Sequence, residues 1–180
     1  MILSLHEHPD GVATGPANRV VYDLGRNEAH FGAATVDGPA LVWELTDREA
    51  RGAALSAAVE LDPAVEWLMR CDRIDFPPGG VAYRHTHPGA GIRRLLFGSI
   101  RIEGPGGLVE DVDSGGVWFE GFDHPVLATA SATEPSAFVR VMLLPREWEG
   151  RRTIRYVDPA DKEKPKLQRP TVFFDRPIEL

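Results

Sequence analysis

The chain of 180 residues has a single cysteine, Cys71. No intrachain disulfide can form, and this pattern suits a reducing cytoplasm. Cys71 lies in an alternating stretch with no recognisable base beside it, and reads as a small buried apolar residue rather than a nucleophile. There is no run of about 18 apolar residues, so no membrane-spanning helix is expected. The N-terminus, MILSLHEHPDG, lacks both a basic start and a long apolar stretch, and no signal peptide is expected. Positive charge is short as well: Lys+Arg is 20 against Asp+Glu 27, a net charge of -7. That balance argues against general nucleic-acid or anionic-membrane binding and leaves room for a local basic pocket. Long helical periods, internal repeats, low-complexity segments and a clear inter-domain linker are also missing.

What is there points to β structure. Hydrophobic residues make up 43% of the chain, which makes it globular, and Gly (18) and Pro (15) favour short strands joined by turns. Residues 1–18, polar and rich in Gly and Pro, read as a loosely held arm. Strands follow at 20–24 and 40–45. Thr46-Asp47-Arg48-Glu49 has the capping-box pattern, which predicts a short helix over 47–58, with a loop as the competing reading because Gly52 interrupts it. From Val65 onward the β signal strengthens: 67–76, 81–87, 92–97, 99–103, 108–112, 116–119, 124–130 and 136–144 read as strands. Turn residues such as Pro77-Pro78-Gly79-Gly80 and Gly104-Pro105-Gly106-Gly107 separate them. Short strands at this spacing predict an antiparallel sandwich or small barrel. One domain overall is expected: an arm and packing strands over 1–64, a barrel core over 65–150, and a C-terminal extension over 151–180. Phe173 and Phe174 in that extension are expected to pack on the barrel or on a second subunit.

The chemistry centres on His85-Thr86-His87. On a strand, residues i and i+2 point to one face, so the two imidazoles share a side. With His124 from a neighbouring strand they make three neutral nitrogen donors for one divalent ion. The alternative is that they are merely polar residues on a barrel wall. His6-x-His8 has no comparable glycine-strand context and reads as an exposed accident of sequence. By the same alternation Tyr83 faces inward with His85 and His87. Arg93 and Leu95 face inward too, and Arg94 faces out. A guanidinium inside a barrel needs an anionic partner. Arg93 is therefore a candidate grip for a carboxylate or phosphate of a ligand, the alternatives being an ion pair with an interior acid or a register slip. Trp118, Phe119, Phe122 and Val126 are candidates to line the pocket or the core.

Gly79-x5-His85-x-His87, then Gly98, then Gly121-x2-His124 resembles the two-part signature of the cupin superfamily, over about residues 65–145. The resemblance implies an all-β, antiparallel jelly-roll barrel, here with extra N-terminal strands and a C-terminal tail. It also implies a divalent transition metal (Fe, Zn, Ni, Mn or Cu) on His85, His87 and His124. The family's metal-binding glutamate has no counterpart; Gly91 takes its position, Phe119 replaces the motif's proline, and Ala128 its asparagine. Glu120 replaces the carboxylate only if it turns inward. Three-histidine iron sites occur in some cupin dioxygenases, so a metal-dependent dioxygenase acting on a small anionic organic molecule is expected, with Arg93 orienting the substrate and Tyr83 donating a hydrogen bond or proton. Alternatives are a non-catalytic small-molecule binding or sensor module, and a metal-independent isomerase with histidine as base. Family members commonly dimerise by exchanging edge strands, which implies a homodimer.

Overall fold

The structure is a computed structural model describing residues 1–48 and 51–180. It is built of antiparallel strands, with three short 3-10 turns and no described helix long and apolar enough to cross a membrane. The N-terminal part holds β1 (Ile2–His8), β2 (Val12–Thr14), β3 (Arg19–Asp23), β4 (Glu28–Phe31), β5 (Ala34–Val36), β6 (Ala40–Thr46) and β7 (Leu55–Ala58). The barrel holds β8 (Trp67–Phe76), β9 (Val81–Thr86), β10 (Ala90–Phe97), β11 (Ser99–Glu103), β12 (Val109–Asp113), β13 (Val117–Glu120), β14 (Val126–Ala130) and β15 (Ser136–Pro145). The extension adds β16 (Arg155–Tyr156) and β17 (Arg169–Ile178).

Two five-stranded sheets face each other, in the orders β13-β10-β15-β8-β17 and β12-β11-β14-β9-β16. From β8 to β15 the chain changes sheet at every connection except the β11–β12 hairpin, the double Greek key of a jelly roll. Each sheet gains one outer strand from the extension, β16 and β17, which binds residues 151–180 to the barrel.

A third sheet, β4-β3-β6-β1-β7, covers the outside of the first barrel sheet. β8, β10 and β15 are therefore buried on both faces along most of their length, and the charges they carry inward must be paired. Their outward residues Met69, Cys71, Ile92, Val139, Val141 and Leu143 pack with Leu3, Leu5, Val20, Leu41 and Trp43. Their inward residues Ile74, Leu95 and Phe138 pack with Ile100, Ile102 and Trp118 of the barrel interior. Trp43 also donates its indole N–H to the carbonyl of Ile92 at 3.1 Å, which ties the two layers together.

Two expectations change here. Residues 2–8 are not a loose arm but an inner strand of the covering sheet, with Leu3 and Leu5 fully buried. Residues 55–58 form a strand paired with β1 rather than the end of a helix, because Leu55 joins the apolar layer. The capping-box residue Glu49 lies outside the described residues. The Phe173-Phe174 pair packs within the chain, each ring edge-on to a ring of the covering sheet, Tyr22 at 5.7 Å and Phe31 at 6.2 Å.

Candidate active site

The barrel encloses a cavity of about 560 Å³. One part of its lining is apolar: Ile74, Phe76, Ile102, Trp118, Val126 and Phe138. The other part is polar and brings together Asp72, His85, His87, Glu120 and Arg140. These come from β8, β9, β13 and β15 and the turn just past β9, whose alternation aims them at one interior.

His85 and His87 converge as their spacing predicts. Both are 5% exposed, with ring centroids 4.8 Å apart and edge to face. His85 Nδ1 lies 2.7 Å from the carbonyl oxygen of Tyr83, so it carries the hydrogen and donates. His87 Nε2 lies 3.0 Å from Arg140 Nη1, which can only donate, so this nitrogen is the acceptor and His87 Nδ1–H faces Thr153 Oγ1 at 3.1 Å. The hydrogens follow from the network. The two Nε2 atoms, 3.1 Å apart, are then both lone-pair acceptors. Burial holds His85 below its ordinary pKa against the pull of Glu120. Burial, with Arg140 next, holds His87 further below.

Arg140 stands opposite Asp72 on the strand ladder and grips it in a fork, Nε–Oδ1 2.7 Å and Nη2–Oδ2 3.0 Å. Its third arm fixes His87. Neither Asp72 nor Arg140 was identified from sequence. A signal was present: Arg140 is a lone charge in the apolar run Val139-Arg140-Val141-Met142, and Asp72 alternates with Arg70 in β8.

Glu120 does turn inward. It pairs across the ladder with Gly91, where the expected carboxylate is missing. A Cβ at Gly91 would lie 2.2 Å from the carbonyl oxygen of Val141, so β10 and β15 approach too closely there for any side chain. Trp118 Nε1 donates to Glu120 Oε1 at 2.9 Å. Burial opposes ionisation of Glu120, but Arg93 and the Trp118 hydrogen bond outweigh it and hold the carboxyl below its ordinary value.

Arg93 points into the barrel and is 0% exposed. It does not line the cavity. Its Nη2 is 2.7 Å from Glu120 Oε2, an ion-pair distance with the N–H poorly aligned for a hydrogen bond, and Nη1 donates to the Gly91 carbonyl. Burial pushes its pKa down to about 10 against the opposing Glu120. Arg93 is thus the partner of an interior acid, out of reach as a grip for a ligand.

His124 and Tyr83 lie outside the cavity lining. The turn before β14 is set by Asp123, whose φ is +54°, and the His124 ring folds back over Gly121 and stays exposed. The position that faces His85 across the ladder is Val126. Tyr83 is displaced by a bulge. Val126 pairs with His85 and Ala128 with Ala82, two residues against three, so the inward phase resets between Ala82 and His85. The Tyr83 ring sits under the extension instead, 4.7 Å from Lys164 Nζ. Of the four aromatic-flank candidates, Trp118 and Val126 line the cavity, while Phe119 and Phe122 pack into the outer core. His6 and His8 lie on β1 with rings 6.4 Å apart.

The donor set does not fit a resident metal ion. Among the described residues no group of three His, Cys, Asp or Glu side chains is arranged to hold one. The place facing His85 is a valine, and the cation that meets His87 Nε2 is the Arg140 guanidinium.

Eight strands in this order, with His-x-His reaching the interior from the second, form a jelly-roll barrel with a polar interior site. No family model and no curated protein matches the chain. Solved structures do. A cupin-like protein of Thermotoga maritima is 19% identical over 41% of this chain, with a TM-score of 0.38, and the match spans only 55% of that protein. An RmlC-like cupin of Shewanella frigidimarina is 16% identical, over 44% of this chain and 68% of its own, with a TM-score of 0.39. A polyketide cyclase of Streptomyces resistomycificus is 22% identical, over 53% of this chain and 70% of its own, with a TM-score of 0.42. None of these likenesses bears on activity.

Proposed function

We propose that the barrel binds a small organic molecule and acts on it by proton transfer, with His85 as the acceptor and no resident metal. One observation carries this reading. His85 Nε2, 3.1 Å from His87 Nε2, is an acceptor left without a hydrogen, because the His87 lone pair is taken by Arg140. A ligand that offers an O–H, or a C–H beside a carbonyl, supplies it. Glu120 stabilises the imidazolium that His85 becomes. His87 Nε2 keeps its lone pair on the Arg140 N–H, so the proton stays on His85 and His87 positions it. The ligand's apolar part lies against Trp118, Phe138 and Ile74, and a water-poor wall of this kind suits a site that holds its ligand by shape and a few polar contacts. The dioxygenase expectation rested on three imidazoles and loses its support with the third.

The test follows exchange of C–H hydrogens next to the carbonyl, by proton NMR in D2O, across a panel of small oxo acids, keto esters and hydroxy ketones. At least one compound should exchange faster with protein, and His85→Gln should slow that exchange by about 100-fold or more, the usual worth of a general base. Compounds that bind without exchange would leave a binding module. Compounds that neither bind nor exchange would remove the reading.

A further inference from the structure

We infer that the ligand of this cavity is a carboxylic acid with an apolar body, and that Arg151 and Arg152 hold its carboxylate at the mouth. This rests on the proposed ligand-binding role of the cavity and adds the chemical class.

The buried cations of the barrel are already spent. Arg70 pairs with Asp175, Arg93 with Glu120 and Arg140 with Asp72, at 2.6, 2.7 and 2.7 Å. A charge pair closed on itself offers little net field to a ligand anion. Arg151 and Arg152 differ. Both line the cavity, both are exposed at its mouth, and neither makes an ion pair among the described residues. The side-chain contact found for the two is that of Arg152 Nη2, 3.4 Å from the Tyr156 hydroxyl.

The segment that carries them is fixed. Arg70 donates to the carbonyl oxygens of Arg151 at 2.8 Å and Trp148 at 3.0 Å, and the Gly150 N–H donates to Asp175 Oδ2 at 2.7 Å. On the far side of the two arginines, Thr153 is 4% exposed and bonded to His87. The backbone that carries the two guanidinium groups is thus fixed at the rim of the cavity that the histidine pair also lines, in a chain of net charge -7. Guanidinium suits a carboxylate because its forked N–H groups match two oxygens. With the carboxylate at Arg151 and Arg152, the ligand's reactive group falls toward His85 and His87, and its apolar body toward Ile74, Phe76 and Phe138.

Two probes of the same body separate the charge from the cavity: 4-phenylbutyrate and 4-phenyl-1-butanol, titrated calorimetrically at low salt. Wild type should bind the acid about fivefold more tightly than the alcohol, the scale of a partly exposed ion pair. The variant Arg151→Ala/Arg152→Ala should weaken the acid to the level of the alcohol and leave the alcohol unchanged. Arg151→Lys/Arg152→Lys should keep the preference, since the charge remains. Equal affinities in wild type, or a preference that survives the double alanine variant, overturn the inference and leave the cavity reading standing. Ala128→Phe fills the cavity and should reduce binding of both probes. If neither probe binds wild type, or if Ala128→Phe changes nothing, the cavity reading falls and this inference with it.

Discussion

Arg140 decides what the two histidines can do. It occupies the side of His87 Nε2 that a metal ion would need, and its other arms lock it to Asp72. Replacing it with leucine leaves the Asp72 carboxylate buried and unpaired, which should cost about 3–5 kcal/mol of stability in urea titration. The double variant Arg140→Leu/Asp72→Leu should recover most of that loss, since neither charge then needs a partner. A double variant no more stable than the single one would show that Arg140 contributes by packing instead. The imidazoles add a pH signature. Both are held below their ordinary pKa in the folded chain, first by burial. The unfolded chain therefore binds more protons in mild acid, and stability falls as pH drops from about 7 toward the lowered folded values. From pH 7.5 to 5.5 the loss should be about 1.4 kcal/mol for each imidazole that stays neutral. His87→Gln should flatten this slope, and a slope unchanged by it would contradict the assignment. At this scale the sequence was partly legible. The i, i+2 spacing placed His85 and His87 together and Arg93 inside. Tyr83 was misplaced because a bulge costs one residue of phase and leaves no mark in the residues themselves. His124 was misplaced because the phase of β14 is set by a turn around Asp123, and Val126 takes the inward position.

At the scale of elements, the strand signals from β8 to β15 were read almost residue for residue, because turn residues bound each one. The two ends of the chain were not. β1 pairs with β6 and β7 in the covering sheet, and its burial depends on the barrel beneath it, which no local pattern reveals. β17 carries Pro170 and Pro177, residues that argue against a central strand and are tolerated at an edge. It is such an edge, running along β8 from Ile178 opposite Trp67 to Arg169 opposite Asp75. Asp175 on β17 anchors the mouth segment, taking two bonds from Arg70 and one from Gly150. Its pKa is lowered: partial burial opposes ionisation, and the Arg70 and Gly150 hydrogen bonds overcome it. A lowered carboxyl contributes stability above its unfolded value near 4 and loses it as pH falls through the folded value. Asp175→Asn should therefore cost about 3 kcal/mol at pH 7 and should lose the part of the acid sensitivity that appears below pH of about 4. The slope between pH 7.5 and 5.5, which belongs to the histidines, should persist. If Asp175→Asn unfolds at the same urea concentration as wild type, the anchor is not structural.

At the scale of the whole molecule, the covering sheet and the barrel share one apolar layer. Trp43, fully buried and bonded to the Ile92 carbonyl, joins them. Trp43→Ala should lower stability by about 3–5 kcal/mol and preserve a single unfolding transition in calorimetry, whereas two separate transitions would mean that sheet and barrel fold independently. Phe173 and Phe174 add to that shared layer, each packing edge-on against Tyr22 or Phe31 of the covering sheet within one chain. The barrel and its interior pair His85 and His87 were within reach of the sequence. The absence of a third ligand was not, because it depends on how β14 and β9 are registered. The most direct test is elemental analysis of untagged protein grown with iron, zinc, nickel, manganese and copper supplied, paired with thermal unfolding before and after chelation. The donor set predicts well under one metal ion per chain and the same unfolding temperature with and without chelator. Close to one ion per chain, lost in His85→Ala and costing stability when removed, would contradict it.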